Sequence, residues 1–123
     1  MNVIEVTFEG EGKTIWTKRL WQYDRDQTIL IKGLDVGTDD QVRVYYAFDA
    51  FNGPSQGVDG IKTEDGITAA IPDELLVHDD WRTNYIIMGF IVVVRPDSAD
   101  TVANIVIPVN SWPKPKEEEE PQP

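Results

Sequence analysis

The chain has 123 residues, 22 acidic side chains against 11 basic ones, a formal net charge of −11, no cysteine and a single histidine, His78. That length predicts one domain, and the charge excludes a partner held through phosphate contacts, so no nucleic acid is expected. The absent cysteine excludes disulfides, thiolate metal sites and a cysteine nucleophile, and one histidine excludes a multi-histidine metal site within a protomer.

Val3 to Glu9 opens with a half-buried strand, with Ile4, Val6 and Phe8 on one face and Glu5, Thr7 and Glu9 on the other. Gly10 to Lys13 reads as a turn. Thr14 to Tyr23 is extended, with Ile15, Trp16, Leu20, Trp21 and Tyr23 as its packing residues, and Asp24-Arg25-Asp26-Gln27 is a tight turn. Thr28 to Lys32 is a short strand stopped by Gly33, followed by a Gly- and Asp-rich loop to Asp40. Gln41 to Phe48 alternates again, Val42, Val44 and Tyr46 against Arg43, Tyr45 and Ala47. Residues 49–66 hold four glycines and a proline, which predicts a loop with one short edge strand at Val58 to Thr63. Ile67 to Ile71 is a brief strand. Pro72 to Leu76 fits a single helical turn, because proline suits the first helical position and acids the first turn.

The best-defined element is the strand from Thr83 to Arg95. Ile87, Ile91 and Val93 lie on one face and Ile86, Met88, Phe90, Val92 and Val94 on the other. Both faces are apolar, so the strand is central, or one face is covered by another subunit. Burying about eight such side chains contributes about 12–24 kcal/mol gross, most of it offset by chain ordering. A turn at Pro96 to Asp100 feeds a last strand, Thr101 to Val109. Short strands with turns every 8 to 12 residues predict an all-β fold, an antiparallel sandwich of jelly-roll or immunoglobulin-like type with about seven or eight strands.

Residues 1–112 form the expected sandwich domain, and residues 113–123, Pro-Lys-Pro-Lys-Glu-Glu-Glu-Glu-Pro-Gln-Pro, an extended tail. The tail carries a net charge of −2, which leaves −9 on the domain. Self-repulsion that keeps the domain soluble is the first reading of this charge, with a basic partner surface or weak divalent-ion binding as the alternatives. Pro113, Lys114, Pro115 and Lys116 are candidates for a strap along a neighbouring subunit. No signal peptide is expected at Met1 to Glu5. The longest apolar run, Tyr85 to Val94, is half the roughly 20 residues of a spanning helix, so no membrane partner is expected.

Catalytic chemistry finds no pattern to attach to. Ser55, Ser98 and Ser111 lie outside any Gly-x-Ser-x-Gly elbow, and the glycines of 53–66 lack the Gly-Lys-Ser/Thr of a phosphate loop. Asp24-x-Asp26, Asp39-Asp40 and Asp79-Asp80 lack the twelve-residue calcium loop, so they read as turn carboxylates. The expectation is no catalytic residue, no cofactor and no metal. Trp21, Tyr23, Tyr45, Phe90 and Trp112 are the candidate core or contact aromatics. An alternative is a carbohydrate- or host-surface-binding module that uses Trp16, Trp21, Trp81 and Trp112 with Asp39, Asp40, Asp79 and Asp80.

A dispersed pattern points further. Leu20-Trp21-Gln22-Tyr23-Asp24-Arg25-Asp26-Gln27, then Leu30 to Asp35, Gln41 to Val44, Ile71-Pro72-Asp73-Glu74-Leu75-Leu76, and Ile107-Pro108-Val109 before Pro113-Lys114-Pro115 occur in this order over residues 15–115. In this the chain resembles a family of small structural proteins of tailed bacteriophages and prophages, mainly of Gram-positive hosts. That family tends to carry glycine at the position of Asp26, a His-Phe-type strand at Tyr45 to Phe48, and a different exit after Pro115. The resemblance implies a non-enzymatic virion component (head decoration, fibre anchor, neck or baseplate), made in the bacterial cytoplasm. Its implied partners are copies of itself and other virion proteins.

Overall fold

Strict alternation of buried and outward side chains along the chain sets the architecture, because a strand presents successive residues to opposite sides of its sheet. The computed structural model describes residues 2–9, 13–48, 56–77 and 84–111. Its strands are β1 (Asn2–Thr7), β2 (Lys13–Trp16), β3 (Leu20–Trp21), β4 (Gln27–Lys32), β5 (Gln41–Phe48), β6 (Gln56–Asp59), β7 (Ile61–Thr63), β8 (Gly66–Ile71), β9 (Tyr85–Val94) and β10 (Ala99–Asn110). The expected helical turn is a 3-10 turn at Asp73–Leu76 that buries Leu75 and Leu76.

The chain is an all-β sandwich. One sheet has four strands in the order β1-β4-β8-β7; the other has six, in the order β2-β10-β9-β5-β6 with β3 also on β10. Both sheets are mixed rather than wholly antiparallel. β1 runs parallel to β4, and β2 and β3 run parallel to β10. Parallel neighbours need a crossover between them: between β1 and β4 it is made by β2 and β3 of the opposite sheet, and between β3 and β10 by strands of both sheets. The described strands number ten, because two expected elements are split.

The first split separates β2 from β3. Trp16 pairs with Val106 and Leu20 with Val109, so three residues of the first chain stand against two of β10. The extra residue acts like a bulge and reverses which face the following side chain takes. The second split is at Gly60, where β6 pairs with β5 in one sheet and β7 with β8 in the other. The Gly60 N–H donates to the Val42 carbonyl at 2.7 Å. A β-carbon there would stand 2.8 Å from Ile67 Cγ2 and 3.0 Å from the Val42 oxygen, so the corner accepts only glycine.

Between the sheets lies one core. It includes Ile4, Val6 and Phe8 from the first segment, Ile29 and Ile31, Val42, Val44 and Tyr46, Ile67, Ala69 and Ile71, Ile87, Ile91 and Val93, and Ile105, Ile107 and Val109. The inward face of β9 is therefore sandwich core.

Candidate functional site

The outward face of the six-stranded sheet follows from register. Phe90 lies between Asn104 of β10 and Tyr45 of β5, and Met88 lies between Val106 and Ala47. Val92 stands beside Arg43, Val94 beside Gln41, and Ile86 beside Pro108. On the flank, Trp16 pairs with Val106 and Trp21 with Asn110. Because Val106 and Asn110 are four positions apart on β10, both indoles project to this same side. Trp16 is 62% exposed and Trp21 46%, where packing had been expected for both. Ile86, Met88, Phe90, Val92 and Val94 are half-buried.

Charge is almost absent from this face. Among outward positions of the described strands of this sheet, only Arg43 and Asp59 are ionised, and they pair with Arg43 Nε 2.9 Å from Asp59 Oδ1. The same guanidinium lies over the Tyr45 ring, 5.4 Å from its centroid. Tyr45 in turn covers Gly57 on β6, where an added β-carbon would meet the ring at 2.9 Å. Thr14 donates its hydroxyl to Asn104 Oδ1 at 2.6 Å.

The acids sit at turns and close them. Asp24 Oδ2 accepts the Trp21 N–H at 2.9 Å, and Asp40 Oδ2 accepts the Gly37 N–H at 2.9 Å. Asp73 Oδ1 accepts the Asp26 N–H at 3.1 Å, which ties the 3-10 turn to the turn before β4. Among the described residues, no group of three or more His, Asp or Glu is placed to hold a metal ion. No helix of the described residues is long and apolar enough to cross a membrane.

Of the aromatic candidates, Tyr45 and Phe90 are neighbours on the outer face, and Trp21 is on the same face about 20 Å further along β10. Tyr23 does not: it sits in the turn after β3 at φ 71, its N–H donating to the Leu76 carbonyl at 2.8 Å. Trp112 and the proposed strap Pro113 to Lys116 lie outside the described residues. The carbohydrate constellation is not assembled. Asp40 lies beside Arg95, at the start of β10, whereas Trp21 pairs with Asn110 at its other end. The two are separated by about 30 Å or more of strand, and Asp79, Asp80 and Trp81 fall outside the described residues.

Sequence reasoning missed Val106 and Pro108 as members of the face, although the alternation against Ile105, Ile107 and Val109 carries the signal. Two tyrosines behind it are buried. Tyr85 donates its hydroxyl to the Leu75 carbonyl at 2.8 Å, and burial pushes its pKa up to about 12, against the pull of a hydrogen bond with Gln22. The Tyr46 hydroxyl has no hydrogen-bond partner among the described residues, and burial raises its pKa well above the ordinary phenol value.

An open hollow of about 510 Å³ lies between the 33–36 loop and the β7–β8 hairpin. Lys62, on its wall, is committed to the loop: its ammonium donates to the carbonyls of Gly37 at 2.7 Å and Thr38 at 3.3 Å. No protein-family model and no curated protein sequence matches the chain.

Proposed function

We propose that the chain is a non-enzymatic building block of a bacteriophage particle, a sandwich that docks onto its neighbours through the outer face of the six-stranded sheet. The observation that carries this reading is the composition of that face. A chain with net charge −11 keeps its broadest sheet surface free of unpaired charge and lines it with Trp16, Trp21, Tyr45, Phe90, Met88 and four aliphatic side chains. Continuous apolar surface of this kind marks an interaction site, and aromatic anchors are what such sites use. Copies of the chain and other virion proteins are the proposed partners, and the particle is the proposed location.

The phage assignment rests on the ordered resemblance over residues 15–115. Asp26 adds a physical point to it: its φ is 58, the left-handed region where glycine is favoured and where the resembled family tends to carry glycine. Mass spectrometry of purified particles tests the assignment. The chain is expected at fixed stoichiometry with the major structural proteins; its absence from particles whose genome encodes it overturns the reading.

Trp16 and Trp21 on one flank favour a second reading, a carbohydrate- or host-surface-binding module. A glycan array with and without calcium, read against a Trp16→Ser, Trp21→Ser variant, decides it. Binding that the variant loses supports this reading, and an array without signal removes it.

A further inference from the structure

We infer that the occupant of the outer face is a second copy of this chain, packed face to face about a twofold axis; this rests on the docking reading of that face. Three observations select a second copy over other partners.

Charge is the first. A basic partner would seek carboxylates, and among the outward positions of the described strands of this sheet the one carboxylate is Asp59, already paired with Arg43. Among the outward positions of the described strands, the only charges on the face, Arg43 and Asp59, already neutralise one another at 2.9 Å. A surface with no net sign is electrostatically complementary to itself. The repelling charges of two acidic copies then stand at the ends of the sandwiches, where salt screens them over about 8 Å.

Area is the second. β9 has 10 residues and lies in the middle of five strand positions. At about 3.3 Å per residue and about 4.8 Å between strands, the face covers about 600 Å² before side-chain relief is added. That approaches the roughly 800 Å² per partner of a stable protein pair. The third observation is layout. Phe90 and Tyr45 lie side by side on the neighbouring strands β9 and β5, and the two polar pairs reach the margins through Thr14 and Asp59 on the edge strands β2 and β6, with Asn104 and Arg43 one strand inward. An apolar centre with a polar rim is how stable interfaces are arranged.

The test uses the full chain, whose lack of cysteine makes single-cysteine variants unambiguous. Sedimentation equilibrium is expected to give twice the 13.9 kDa mass of one chain. Raising NaCl from about 50 to about 500 mM is expected to tighten the pair several-fold, since screening removes repulsion between like-charged copies. Met88→Cys and Tyr45→Cys are expected to cross-link on oxidation, and Thr28→Cys and Thr68→Cys, on the other sheet, are expected to stay monomeric. Phe90→Glu is expected to weaken the pair at least tenfold with an unchanged circular-dichroism spectrum; should it fail to fold, Ala47→Lys places a charge on the same face with less lost burial. A monomer at all salt concentrations, dissociation on adding salt, or cross-linking only through Thr28 and Thr68 overturns the inference. Failure here is separable from failure of the docking reading. A monomeric chain whose Phe90→Glu variant drops out of particles overturns the second copy alone, whereas a dimeric chain found in no particle overturns the virion assignment alone.

Discussion

The two outer faces of this sandwich answer the same problem in opposite ways. On the four-stranded sheet the outward positions are Val3, Glu5 and Thr7 of β1, Thr28, Leu30 and Lys32 of β4, Thr68 and Ala70 of β8, and Ile61 and Thr63 of β7. Threonine recurs, and Lys32 Nζ stands 3.2 Å from Glu5 Oε1 across the edge pair. β-branched side chains keep these strands extended, and the Thr63 and Thr68 hydroxyls donate to the Gly66 and Ile61 carbonyls, with Val3 and Ile61 exposed between the polar groups. The six-stranded sheet has the same backbone demands and meets them with aromatic and aliphatic groups. Strand propensity cannot explain that difference, since threonine would serve both. Under the docking reading proposed above, what separates the faces is whether something apolar is to be laid on top.

Substitutions that exchange the two kinds of surface break the contrast most directly. Ile87→Ala, on the inner side of β9 and fully buried, is expected to cost about 2–5 kcal/mol in urea unfolding of the chain. Ile86→Thr, the next residue and on the outer side, is expected to cost less than about 1.5 kcal/mol in the separated chain yet to weaken assembly. Equal losses for the two would mean that the outer face is core after all. Alkali gives the next effect. The Tyr85 phenol is neutral when protonated and its pKa in the fold is about 12, above the ordinary 10, so the fold holds that proton more tightly than the unfolded chain does. Its contribution is complete below pH 10 and declines as pH rises towards 12. Chemical denaturation between pH 9 and about 12 should show that decline reduced in Tyr85→Phe.

Tyr46→Phe is expected to be neutral or to stabilise by up to about 1 kcal/mol, because it removes a buried hydroxyl that bonds to nothing among the described residues. A loss above about 1 kcal/mol in thermal unfolding would show that the hydroxyl has a partner. Smallest of all is Lys32→Met on the threonine face. The exposed pair with Glu5 is worth at most about 0.5 kcal/mol, and 0.5 M salt should erase the difference from the parent chain.

Much of this was readable from alternation. The bounds of β5 and the two apolar faces of β9 are local properties, so the residues themselves announce them. The parallel edges were not readable, because the neighbour of β2 lies some ninety positions away, as the Thr14–Asn104 bond shows. Val58 to Thr63 looked like one edge strand, since nothing local says that Gly60 turns the chain from one sheet to the other. The two exposed tryptophans show the same limit. Trp16 and Trp21 are five apart and would point oppositely in an unbroken strand; the extra residue between β2 and β3 brings both to one face. Of the candidate contact residues, Trp21, Tyr45 and Phe90 share one face, with only Tyr45 and Phe90 side by side, whereas Tyr23 is held in a turn by its left-handed backbone.

The place of β10 has a consequence in time. It pairs on one side with β9, its neighbour along the chain, and on the other with β2 and β3. The segment bearing Trp16 and Trp21 therefore has no sheet to join until synthesis has passed residue 110. Closing so long a loop slows folding, though its entropic cost grows only as the logarithm of length. A nascent chain holds an unpaired, aromatic-rich edge segment throughout its synthesis and gains its docking surface last. A chain cut short before β10 would lack that edge and the part of the face that β10, β2 and β3 supply, and under the proposed assembly such a copy would not be incorporated.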